Sequence, residues 1–434
     1  MQDSLDKNLV VLFIGFIWPE TNATAAGQNI VSYVRTLLDA GYKVHFASAA
    51  QQGSMSTDLT LLDSKPGQIQ CHQIKLNCDS FNQFVAELDV NIVIFDRFLT
   101  EEQFGWRVMK AAPHAMRVLD CEDLHFLRHA RHQLYKAQGY SPSSAEYLRP
   151  NSILDESSRE FLYSELCARE MACIFRCDLT LTLSNFEASL LVEHFNLSEC
   201  IIHQVGYISH DIDDESKRSA SQHNASHDFI SIGNFRHAPN IDAVRILVRK
   251  IWPGIRESLP DADLHIYGAY MPPKIKGLNA PKKGIHMHGH APCQFEVLSK
   301  AKVMLAPIQF GAGVKGKLRD AILCKLPSIT TPIGAEGIEY ERWPGAVVST
   351  EQDFIDKAIE AYSMGRASFE DLCMEVEKHN FDKQSNAQKL VDSLERSYRN
   401  LQNRRSNNFM QIMLSHHSLQ THKYMSQWIE AKNA

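Results

Sequence analysis

The segment from Val303 to Thr331 limits the possible folds of this chain most, because apolar runs alternate there with a glycine-rich loop. Residues 303–306 and 328–331 are short and apolar or β-branched, which predicts buried strands, whereas residues 315–323 predict a helix. Strand, loop, helix and strand in this order predict a βαβ crossover. We therefore expect an α/β fold with a parallel sheet.

The loop that opens this helix contains Gly311 and Gly313, and Lys315 and Lys317 follow on the first turn. Free backbone N–H groups and the positive end of the helix dipole favour an anionic ligand there, most simply a diphosphate. The loop matches neither the GxGxxG pattern nor the GxxxxGK[ST] pattern. The alternative is therefore a purely structural turn, which is common in α/β proteins.

Composition excludes some classes of function. The 434 residues are 44% hydrophobic and 22% charged, which is typical of a globular protein with two or three domains. The formal net charge is -6 without a long basic run, so a nucleic-acid partner is disfavoured. The ten cysteines are scattered without a CxxC pair, which indicates reduced thiols in a cytoplasmic protein. Cys173 and Cys177 are four residues apart, but we expect them in packed core and assign no metal to them.

Apolar runs are too short for a membrane span. The run at residues 9–17 does not reach the length of a bilayer, and no basic segment precedes it. No other window reaches that length either. We expect a soluble protein and leave peripheral contact with a membrane surface open.

The amino half opens with another βαβ pattern. Residues 9–15 predict a strand, residues 28–40 a helix, and residues 43–47 the next strand. Ligands of parallel sheets bind at the carboxyl ends of the strands. We therefore expect the small residues 25–27, Ala-Ala-Gly, to face a cleft.

Polar residues crowd the ends of two further predicted strands, at residues 92–95 and 117–119. For the acidic residues the alternative to a functional role is helix capping, and for the histidine it is a hydrogen-bonded surface position. The side chains after the second of these strands are Asp120, Glu122, Asp123 and His125.

Residues 206–228 are polar and predict a linker between two domains. Before it, residues 124–138 and 159–176 predict helices, and a second α/β unit begins at residue 229. His286, His288 and His290 alternate along a predicted strand, which places them on one face. Without supporting carboxylates, a solvated sheet edge is favoured over a metal site.

The motifs of the carboxyl half together resemble those of a known family. They are Gly-Asn-Phe-x-His-x-Pro-Asn from Gly233, Leu-His-Ile-Tyr-Gly from Leu264, Gly-Ala-Gly-Val-Lys-x-Lys from Gly311, and Pro-Ser-x-Thr-Thr-Pro-Ile-Gly-Ala-Glu-Gly from Pro327. In this order they resemble the carboxyl half of GT-B fold glycosyltransferases of the retaining family 4 type, the glycosyl transferases group 1. The resemblance covers residues 229–375 and is weaker in the amino half.

The resemblance implies an α/β fold of the GT-B type, in which two Rossmann-like domains face each other across a cleft. An N-terminal, acceptor-side domain would comprise residues 1–205, followed by the linker at residues 206–228. A nucleotide-sugar-binding domain would comprise residues 229–375. C-terminal helices at residues 376–434 would cross back to the N-terminal domain and extend beyond it.

The resemblance also implies a donor site. Asp320 stands where the family usually has a glutamate for the ribose hydroxyls, and Ala312 stands where it usually has a second glutamate. Without that second carboxylate, we expect the backbone N–H groups of residues 310–313 to contact the donor sugar. Lys315 and Lys317 substitute for the basic residues that hold the diphosphate. The donor-binding residues implied in this way are Gly27, Asn234, Arg236, Phe310, Gly311, Ala312, Gly313, Val314, Lys315, Lys317 and Asp320.

The implied activity is transfer of a sugar from a nucleotide-sugar to an acceptor hydroxyl, with retention and with neither a cofactor nor an essential metal ion. His125, Asp120 and Asp123 are the catalytic candidates, because they cluster where the cleft should be. The acceptor class implied is a glycan, a lipid-linked glycan or another hydroxyl compound, as in bacterial surface polysaccharide or glycoconjugate synthesis. Two alternatives stay open, namely a sugar-nucleotide epimerase and, because of Ala312, a non-catalytic nucleotide-sugar-binding partner subunit.

The C-terminal tail exceeds what the resemblance covers. Residues 381–403 predict a helix, and residues 409–429 predict a second, amphipathic piece with few cationic residues. We expect this piece to dock on the protein's own surface rather than on a membrane. The expected apolar anchors are Phe409, Ile412, Met413, Leu419, Tyr424, Trp428 and Ile429.

Overall fold

The computed structural model describes residues 9–63, 65–139, 146–208 and 227–433. These residues form two parallel sheets, of seven and six strands, with helices packed around them. In the first sheet the strands that begin at residues 69, 43, 10, 92, 116, 179 and 202 lie side by side in that order, and in the second sheet those that begin at residues 285, 264, 227, 301, 328 and 345 do so. The expected α/β fold with two Rossmann-like domains is confirmed.

The elements of the N-terminal domain are as follows. Its strands are β1 (Val10–Gly15), β2 (Lys43–Ser48), β3 (Ile69–Gln73), β4 (Ile92–Asp96), β5 (Met116–Asp120), β6 (Leu179–Thr182) and β7 (Ile202–Gln204). Its helices are α1 (Ala25–Asp39), α2 (Ser80–Leu88), α3 (Phe98–Ala111), α4 (His125–Ala137), α5 (Arg159–Leu162), α6 (Glu165–Arg176) and α7 (Asn185–Ser189). Short 3₁₀ turns are Leu59–Leu62, Pro150–Leu154 and Glu156–Ser158, and a π turn is Leu190–His194.

The C-terminal domain repeats the same plan. Its strands are β8 (His227–Ile232), β9 (Leu264–Tyr267), β10 (Ile285–Gly289), β11 (Ala301–Ala306), β12 (Ser328–Thr330) and β13 (Gly345–Val347). Its helices are α8 (Ala238–Ile246), α9 (Trp252–Ser258), α10 (Pro273–Lys276), α11 (Gln294–Ser299), α12 (Gly316–Leu323), α13 (Pro332–Ala335), α14 (Glu351–Met364) and α15 (Glu370–Asn380). A π turn at Leu247–Ile251 joins α8 to α9, and 3₁₀ turns are Pro281–Lys283 and Arg366–Phe369.

Strand β1 shows why the sheet strands are continuously apolar. It lies between β2 and β4, and alternate side chains enter two different hydrophobic clusters. Val11 and Phe13 belong to one cluster, whereas Leu12 and Ile14 belong to the other. Both faces of the sheet are therefore covered, as a parallel sheet requires.

Two predicted helices differ from the observed ones because of local capping. Helix α1 begins at Ala25, three residues before the predicted start, since the Thr24 hydroxyl accepts a hydrogen bond from the Gly27 N–H. The single helix predicted at residues 159–176 is wrong, because the chain breaks at Tyr163 and the Ser164 hydroxyl caps α6.

The C-terminal segment forms helices α16 (Lys383–Arg399), α17 (Leu401–Ser406) and α18 (Phe409–Asn433). Helix α16 crosses back to the N-terminal domain, where Leu390 and Leu394 join the cluster of α1 and β1. Helix α18 packs on α3 and α6 of the same domain. The expectation that this piece docks on the protein's own surface therefore agrees with the structure.

The expected apolar anchors of α18 are largely wrong. Its buried residues are polar, since Gln411 donates to Asp178 at 2.8 Å and Ser426 accepts from Arg107 at 2.8 Å. Polar docking turns the opposite, apolar side of the helix to solvent. Phe409, Ile412, Tyr424 and Trp428 are exposed, Met413 and Ile429 are half-buried, and the Leu419 side chain lies outside the described ones.

The predicted linker at residues 206–228 lies mostly outside the described residues, which omit 209–226. Strand β8 already begins at His227, two residues before the predicted start of the carboxyl domain. Among the described helices, none combines the length and the apolar character needed to cross a membrane. Cys173 and Cys177 are buried in the core, as expected.

Candidate active site

A cavity of about 470 Å³ separates the two sheets at the carboxyl ends of their strands. From the N-terminal domain it is lined by the loop after β1, the first turn of α1 and the loop after β5. From the C-terminal domain it is lined by the loops after β8, β9, β10 and β11, and by the start of α12. Parallel sheets place ligands at these ends, so this cavity is the candidate active site.

The glycine-rich loop leads directly into α12 and presents two partly buried lysines to the cavity. Lys315 Nζ donates to the Gly313 carbonyl at 2.6 Å and lies 3.9 Å from a carboxylate oxygen of Glu336. Lys317 Nζ donates to Asn240 Oδ1 at 2.5 Å. Among the described residues no carboxylate forms an ion pair with Lys317, so its charge is not neutralised within the protein.

Burial changes the protonation of both lysines. Removal from water and, to a smaller extent, the neighbouring Lys315 together lower the pKa of Lys317 to about 7. Burial also lowers the pKa of Lys315, although Glu336 opposes this shift. Two desolvated lysines beside a helix N-terminus favour an anion of high charge density, because the anion stabilises their charged forms.

Asp320 also lines the cavity, one turn further along α12. Its Oδ1 accepts hydrogen bonds from Nε and Nη2 of the neighbouring Arg319, at 2.9 Å and 2.6 Å. Burial raises the pKa of Asp320, and Arg319 together with the Gln294 side chain works against that shift. The carboxylate is thus compensated on one side and faces the cavity on the other.

Asn234 and Arg236 line the cavity as well, but they also connect the two domains. Asn234 Nδ2 donates to the Ala23 carbonyl at 3.2 Å. The Arg236 guanidinium lies 3.5 Å from the ring centre of Tyr270, whose hydroxyl donates to Glu20 at 2.9 Å. These contacts close one side of the cavity.

Gly27 faces the cavity at the first turn of α1, as the sequence predicts for residues 25–27. An added Cβ there would lie 2.6 Å from the backbone nitrogen of Glu20. The absence of a side chain is therefore explained by the close approach of the chain's own loop, not by space for a substrate.

Contacts with the N-terminal domain hold the glycine-rich loop in place. Gly311 accepts a hydrogen bond from Arg131 Nη1 at 2.8 Å, and the Gly313 N–H donates to Glu187 Oε1 at 2.8 Å. The expectation that all backbone N–H groups of residues 310–313 serve the donor sugar therefore fails for Gly313, which does not line the cavity. Phe310, Gly311, Ala312 and Val314 do line it.

Arg131 and Glu336 form a buried ion pair between the domains. Both Nη atoms of Arg131 donate to the Glu336 carboxylate, at 2.9 Å and 2.5 Å, and both side chains are about 1% exposed. Arg131 also donates to the Pro150 carbonyl at 2.9 Å. Removal of one partner of a buried ion pair lowers the stability of a protein by several kcal/mol. These two residues therefore hold the two domains in one arrangement.

Asp120 lies behind the cavity rather than in it. The side chain is fully buried, and neither carboxylate oxygen has a hydrogen-bond partner among the described residues. Burial and the neighbouring Asp96 raise the pKa of Asp120 to about 8. The carboxyl group of Asp120 is therefore largely protonated at neutral pH. Asp120 is also absent from the lining of the cavity where a substrate would bind.

Asp123 and His125, by contrast, both line the cavity. His125 Nε2 lies 3.7 Å from Asp123 Oδ1, and Arg128 donates to the other Asp123 oxygen at 2.6 Å. Burial lowers the pKa of His125 to about 4, so the ring is neutral at pH 7 and one ring nitrogen can accept a proton.

Helix capping does not explain the acidic residues after β5. The N-terminus of α4 is capped by Glu170, which accepts hydrogen bonds from the N–H groups of His125 and Phe126 at 3.1 Å and 2.8 Å. Glu187 accepts from the Leu124 N–H at 3.1 Å. The capping carboxylates therefore come from distant parts of the sequence, which local reasoning does not reveal.

Many cavity residues were not predicted as site residues, among them the ionisable Arg97, Glu122, Arg128 and His237. Arg97, the first residue after β4, and Glu122, the second after β5, have positive φ angles of 67° and 56°. Such conformations are costly for residues with a side chain and concentrate at functional sites. Their only sequence signal is their position at the ends of apolar strands.

The three histidines with alternating spacing lie in two different parts of the structure. His286 and His288 lie on β10, the edge strand of its sheet, and stack with His265 at ring-centre distances of 5.0 Å and 5.1 Å. His290 instead lines the cavity. Across the described ranges, no group of three or more His, Cys, Asp or Glu side chains is arranged to hold a metal ion.

Two facing Rossmann-like domains with a cavity between them are the arrangement of the GT-B fold. Residues 226–364 match the family model described as Glycosyl transferases group 1. The carboxyl domain therefore matches that group, and the chain as a whole has the GT-B fold of solved glycosyltransferases. No curated protein sequence matches the chain significantly.

Solved structures with the same fold cover nearly the whole chain. A glycosyltransferase from Rickettsia africae matches with a TM-score of 0.60 and 11% identity over 91% of this chain and 99% of its own. Anabaena Alr3699/HepE, solved with UDP and glucose, matches with a TM-score of 0.58 and 10% identity over 88% and 98%. The pneumococcal O-GlcNAc transferase GtfA, solved with UDP and GlcNAc, matches with a TM-score of 0.58 and 12% identity over 90% and 99%. Identities this low indicate a shared fold.

Proposed function

We propose that this enzyme moves a sugar from a nucleotide-sugar donor to an acceptor hydroxyl. The observation that carries the proposal is the uncompensated Lys317, which lies next to Lys315 at the N-terminus of α12 and faces the cavity. Burying a cation without a counter-ion is costly, so its position calls for an anionic ligand. A diphosphate between the lysines and the helix N-terminus meets that need.

The same lysines have a chemical role in the proposed reaction. When the bond between the sugar and the diphosphate breaks, negative charge grows on the departing phosphate oxygens. Preorganised cations and N–H groups stabilise this charge without an essential metal ion or a cofactor. Asp320, on the same helix, accepts hydrogen bonds from the ribose hydroxyls of the nucleotide.

The N-terminal side of the cavity receives the acceptor in this proposal. His125 is neutral at pH 7 and Asp123 is bound to Arg128, so both hold fixed orientations beside the cavity. They orient the acceptor hydroxyl and the donor sugar, while an oxygen of the departing diphosphate takes the hydroxyl proton. Attack from the side that the diphosphate leaves results in retention of configuration. Asp120 is buried behind the cavity and has no contact with substrate in this proposal.

UDP is the first nucleotide to test, because Anabaena HepE and pneumococcal GtfA were solved with UDP. The proposed acceptor is a glycan or glycoconjugate of the bacterial surface, lipid-linked acceptors included. Synthesis would take place in the cytoplasm, where nucleotide-sugars are made, with peripheral membrane contact where the acceptor requires it.

Calorimetric titration of UDP into the wild-type protein and into Lys317→Met tests the anion site. We expect a loss of about 10- to 100-fold in affinity, as for hydrogen bonds to charged groups. Lys357→Met, at an exposed lysine on α14, is the control and keeps wild-type affinity. Wild-type UDP affinity in both Lys317→Met and the matching Lys315→Met would reject the proposal.

A further inference from the structure

Arg97 immediately precedes helix α3 and has a backbone conformation that is nearly exclusive to glycine. Its φ is 67° and its ψ is 160°, a combination that is sterically unfavourable for any residue with a side chain. The surrounding chain holds this conformation, because the Arg97 N–H donates to the Asp120 carbonyl at 2.8 Å. The Thr100 hydroxyl also donates to the Asp96 carbonyl at 2.7 Å. An arginine where glycine would be relaxed indicates that its side chain is needed at this place.

The guanidinium group of Arg97 is held on one side and open on the other. Nε lies 3.4 Å from Oδ1 of the fully buried Asp96, and the guanidinium carbon lies 5.8 Å from the ring centre of Phe16. Asp96 is itself fixed, since its Oδ2 accepts a hydrogen bond from the Phe16 N–H at 3.0 Å. Within the parts of the chain that the structure describes, neither Nη atom of Arg97 donates a hydrogen bond. Arg97 lines the cavity and its side chain is 19% exposed, so these donors are available to a ligand.

Neutralisation of nearby acids explains Arg97 only in part. Burial opposes the charge of Arg97, but Asp96 and Glu122 raise the pKa of the guanidinium above its usual value. A cation that served these acids alone would donate hydrogen bonds to them, as buried ion pairs require. Asp96 Oδ1 nevertheless has no hydrogen-bond partner among the described residues, and a charge-assisted hydrogen bond is shorter than the 3.4 Å observed. The contact with Asp96 therefore leaves the hydrogen-bonding capacity of Arg97 unused.

The other charged groups on this side of the cavity have partners. Arg128 donates to Asp123 at 2.6 Å, and Glu122 accepts from Asn29 Nδ2 at 2.9 Å. A guanidinium is always protonated, and its planar pair of Nη groups matches the two oxygens of a phosphate or a carboxylate. Arg97 is therefore the group of the N-terminal domain that is suited to bind an oxyanion in the cavity.

We propose that Arg97 binds an anionic group of the acceptor, a phosphate or a carboxylate on the molecule whose hydroxyl receives the sugar. This inference rests on the proposed sugar transfer and adds the charge of the acceptor to it. Strand β4, which ends at Asp96, pairs with β5, after which Asp123 and His125 follow. The anionic group and the reacting hydroxyl are thus bound side by side in the N-terminal domain. The lysines of α12 hold the diphosphate of the donor on the other domain.

Three small ligands that share hydroxyl groups test this inference, namely glycerol 3-phosphate, glycerate and glycerol. Each is titrated by saturation-transfer NMR into the protein saturated with UDP, which occupies the lysine site. We expect at least one of the two charged ligands to bind more tightly than glycerol, and the tighter of them identifies phosphate or carboxylate as the group. In Arg97→Gln the affinity for that ligand should fall about tenfold or more, while UDP affinity stays at the wild-type value.

Arg97→Gly is the second variant, because it removes the side chain and also relaxes the backbone. It should melt no lower than Arg97→Gln and show the same loss of affinity for the charged ligand. Arg159→Gln is the matched control, since Arg159 is exposed on α5 and does not line the cavity. It should bind all three ligands as the wild type does.

Wild-type protein that binds UDP but does not prefer a charged ligand over glycerol overturns the inference and leaves the proposed function intact. The same holds if both Arg97 variants keep the wild-type affinity for the charged ligand. Wild-type protein that does not bind UDP overturns the proposed function and this inference with it.

The donor sugar is the other place where Arg97 could meet an anion, and a separate titration examines it. UDP-glucuronate and UDP-glucose differ by a carboxylate on the sugar. If the wild type prefers UDP-glucuronate and both Arg97 variants lose that preference, Arg97 belongs to the donor site and the inference is overturned. We expect the ratio of the two affinities to be the same in the wild type and in the variants.

Discussion

Glu187 of the N-terminal domain accepts a hydrogen bond from the Gly313 N–H in the glycine-rich loop of the C-terminal domain, at 2.8 Å. The same carboxylate oxygen accepts from the N–H of Leu124, which lies between the catalytic candidates Asp123 and His125 at the start of α4. Gly313 has a left-handed φ of 66°, and an added Cβ would lie 2.8 Å from Cβ of Asp123. One buried side chain thus fixes the donor loop and the acceptor-side loop relative to each other.

Replacement of Glu187 should therefore impair both catalysis and stability. Glu187→Ala leaves two buried N–H groups without an acceptor, each at a cost of about 1–3 kcal/mol. We expect kcat/KM to fall at least about tenfold, while Glu187→Gln, which keeps an amide oxygen, retains more activity. Steady-state kinetics and melting temperatures measure both effects.

The matched control for Glu187 is the exposed Glu193, in the π turn that follows α7. Glu193→Ala should behave like the wild type. If Glu187→Ala keeps wild-type kcat/KM, the link between the two loops has no role in turnover.

Lys317 predicts a pH dependence of nucleotide binding. Its pKa in the free protein is lowered to about 7, and a bound diphosphate should raise it again by supplying the missing counter-charge. Nucleotide affinity should thus fall as the pH rises through 7, and binding above pH 7 should take up a proton. Calorimetry in two buffers with different ionisation enthalpies measures that uptake, which should disappear in Lys317→Met. Proton uptake that is the same in both proteins would assign the effect to another group.

Replacement of Asp320 should lower nucleotide affinity. The protein should keep its fold provided that the neighbouring Arg319 is changed as well. Asp320→Asn removes a charge-assisted acceptor, so we expect UDP to bind about 1.5–3 kcal/mol less tightly. The change also leaves Arg319 buried without its carboxylate, which destabilises the protein by about 3–5 kcal/mol.

The double variant Arg319→Gln/Asp320→Asn separates the two effects of Asp320. It should recover part of the melting temperature and still bind UDP weakly. Wild-type UDP affinity in the folded double variant would exclude Asp320 from ribose recognition.

The histidine stack on β9 and β10 predicts sensitivity to acid. His265 hydrogen-bonds His288 at 2.9 Å, and burial lowers the pKa of His265 to about 4 and lowers that of His288 as well. The unfolded chain then binds protons at a higher pH than the native state does. Stability is full above about pH 6.5, the ordinary pKa of histidine, and is lost progressively as the pH falls toward 4.

Thermal melting at pH 7.5 and pH 5 in the wild type and in His265→Gln measures the effect of this stack. The variant should lose less melting temperature on acidification. His129→Gln, at an exposed position on α4, is the control and should follow the wild type. An identical pH response in all three proteins would show that the stack does not titrate as expected.

The sequence by itself determined the features that depend on local pattern. Continuous apolar runs predicted the parallel strands, because residues buried on both faces of a sheet leave no polar alternation. The glycine-rich loop predicted the start of α12. The two lysines that follow it were identified as cavity residues from their position in the sequence directly after that loop. Asp123 and His125 were placed at the cleft because the chain leaves β5 there.

The tertiary structure decided what depends on contacts between distant residues. Asp120 turns inward beside Asp96 of the neighbouring strand, although its position in the sequence resembles that of Asp123. Glu187 reaches Gly313 across 126 positions of the chain, and no local pattern encodes such a partner. The apolar residues of α18 predicted a docking face, but Gln411 and Ser426 found buried partners in Asp178 and Arg107 and turned that face to solvent. A buried hydrogen-bonding group without a partner is costly, so the positions of those partners determined which side of the helix is buried.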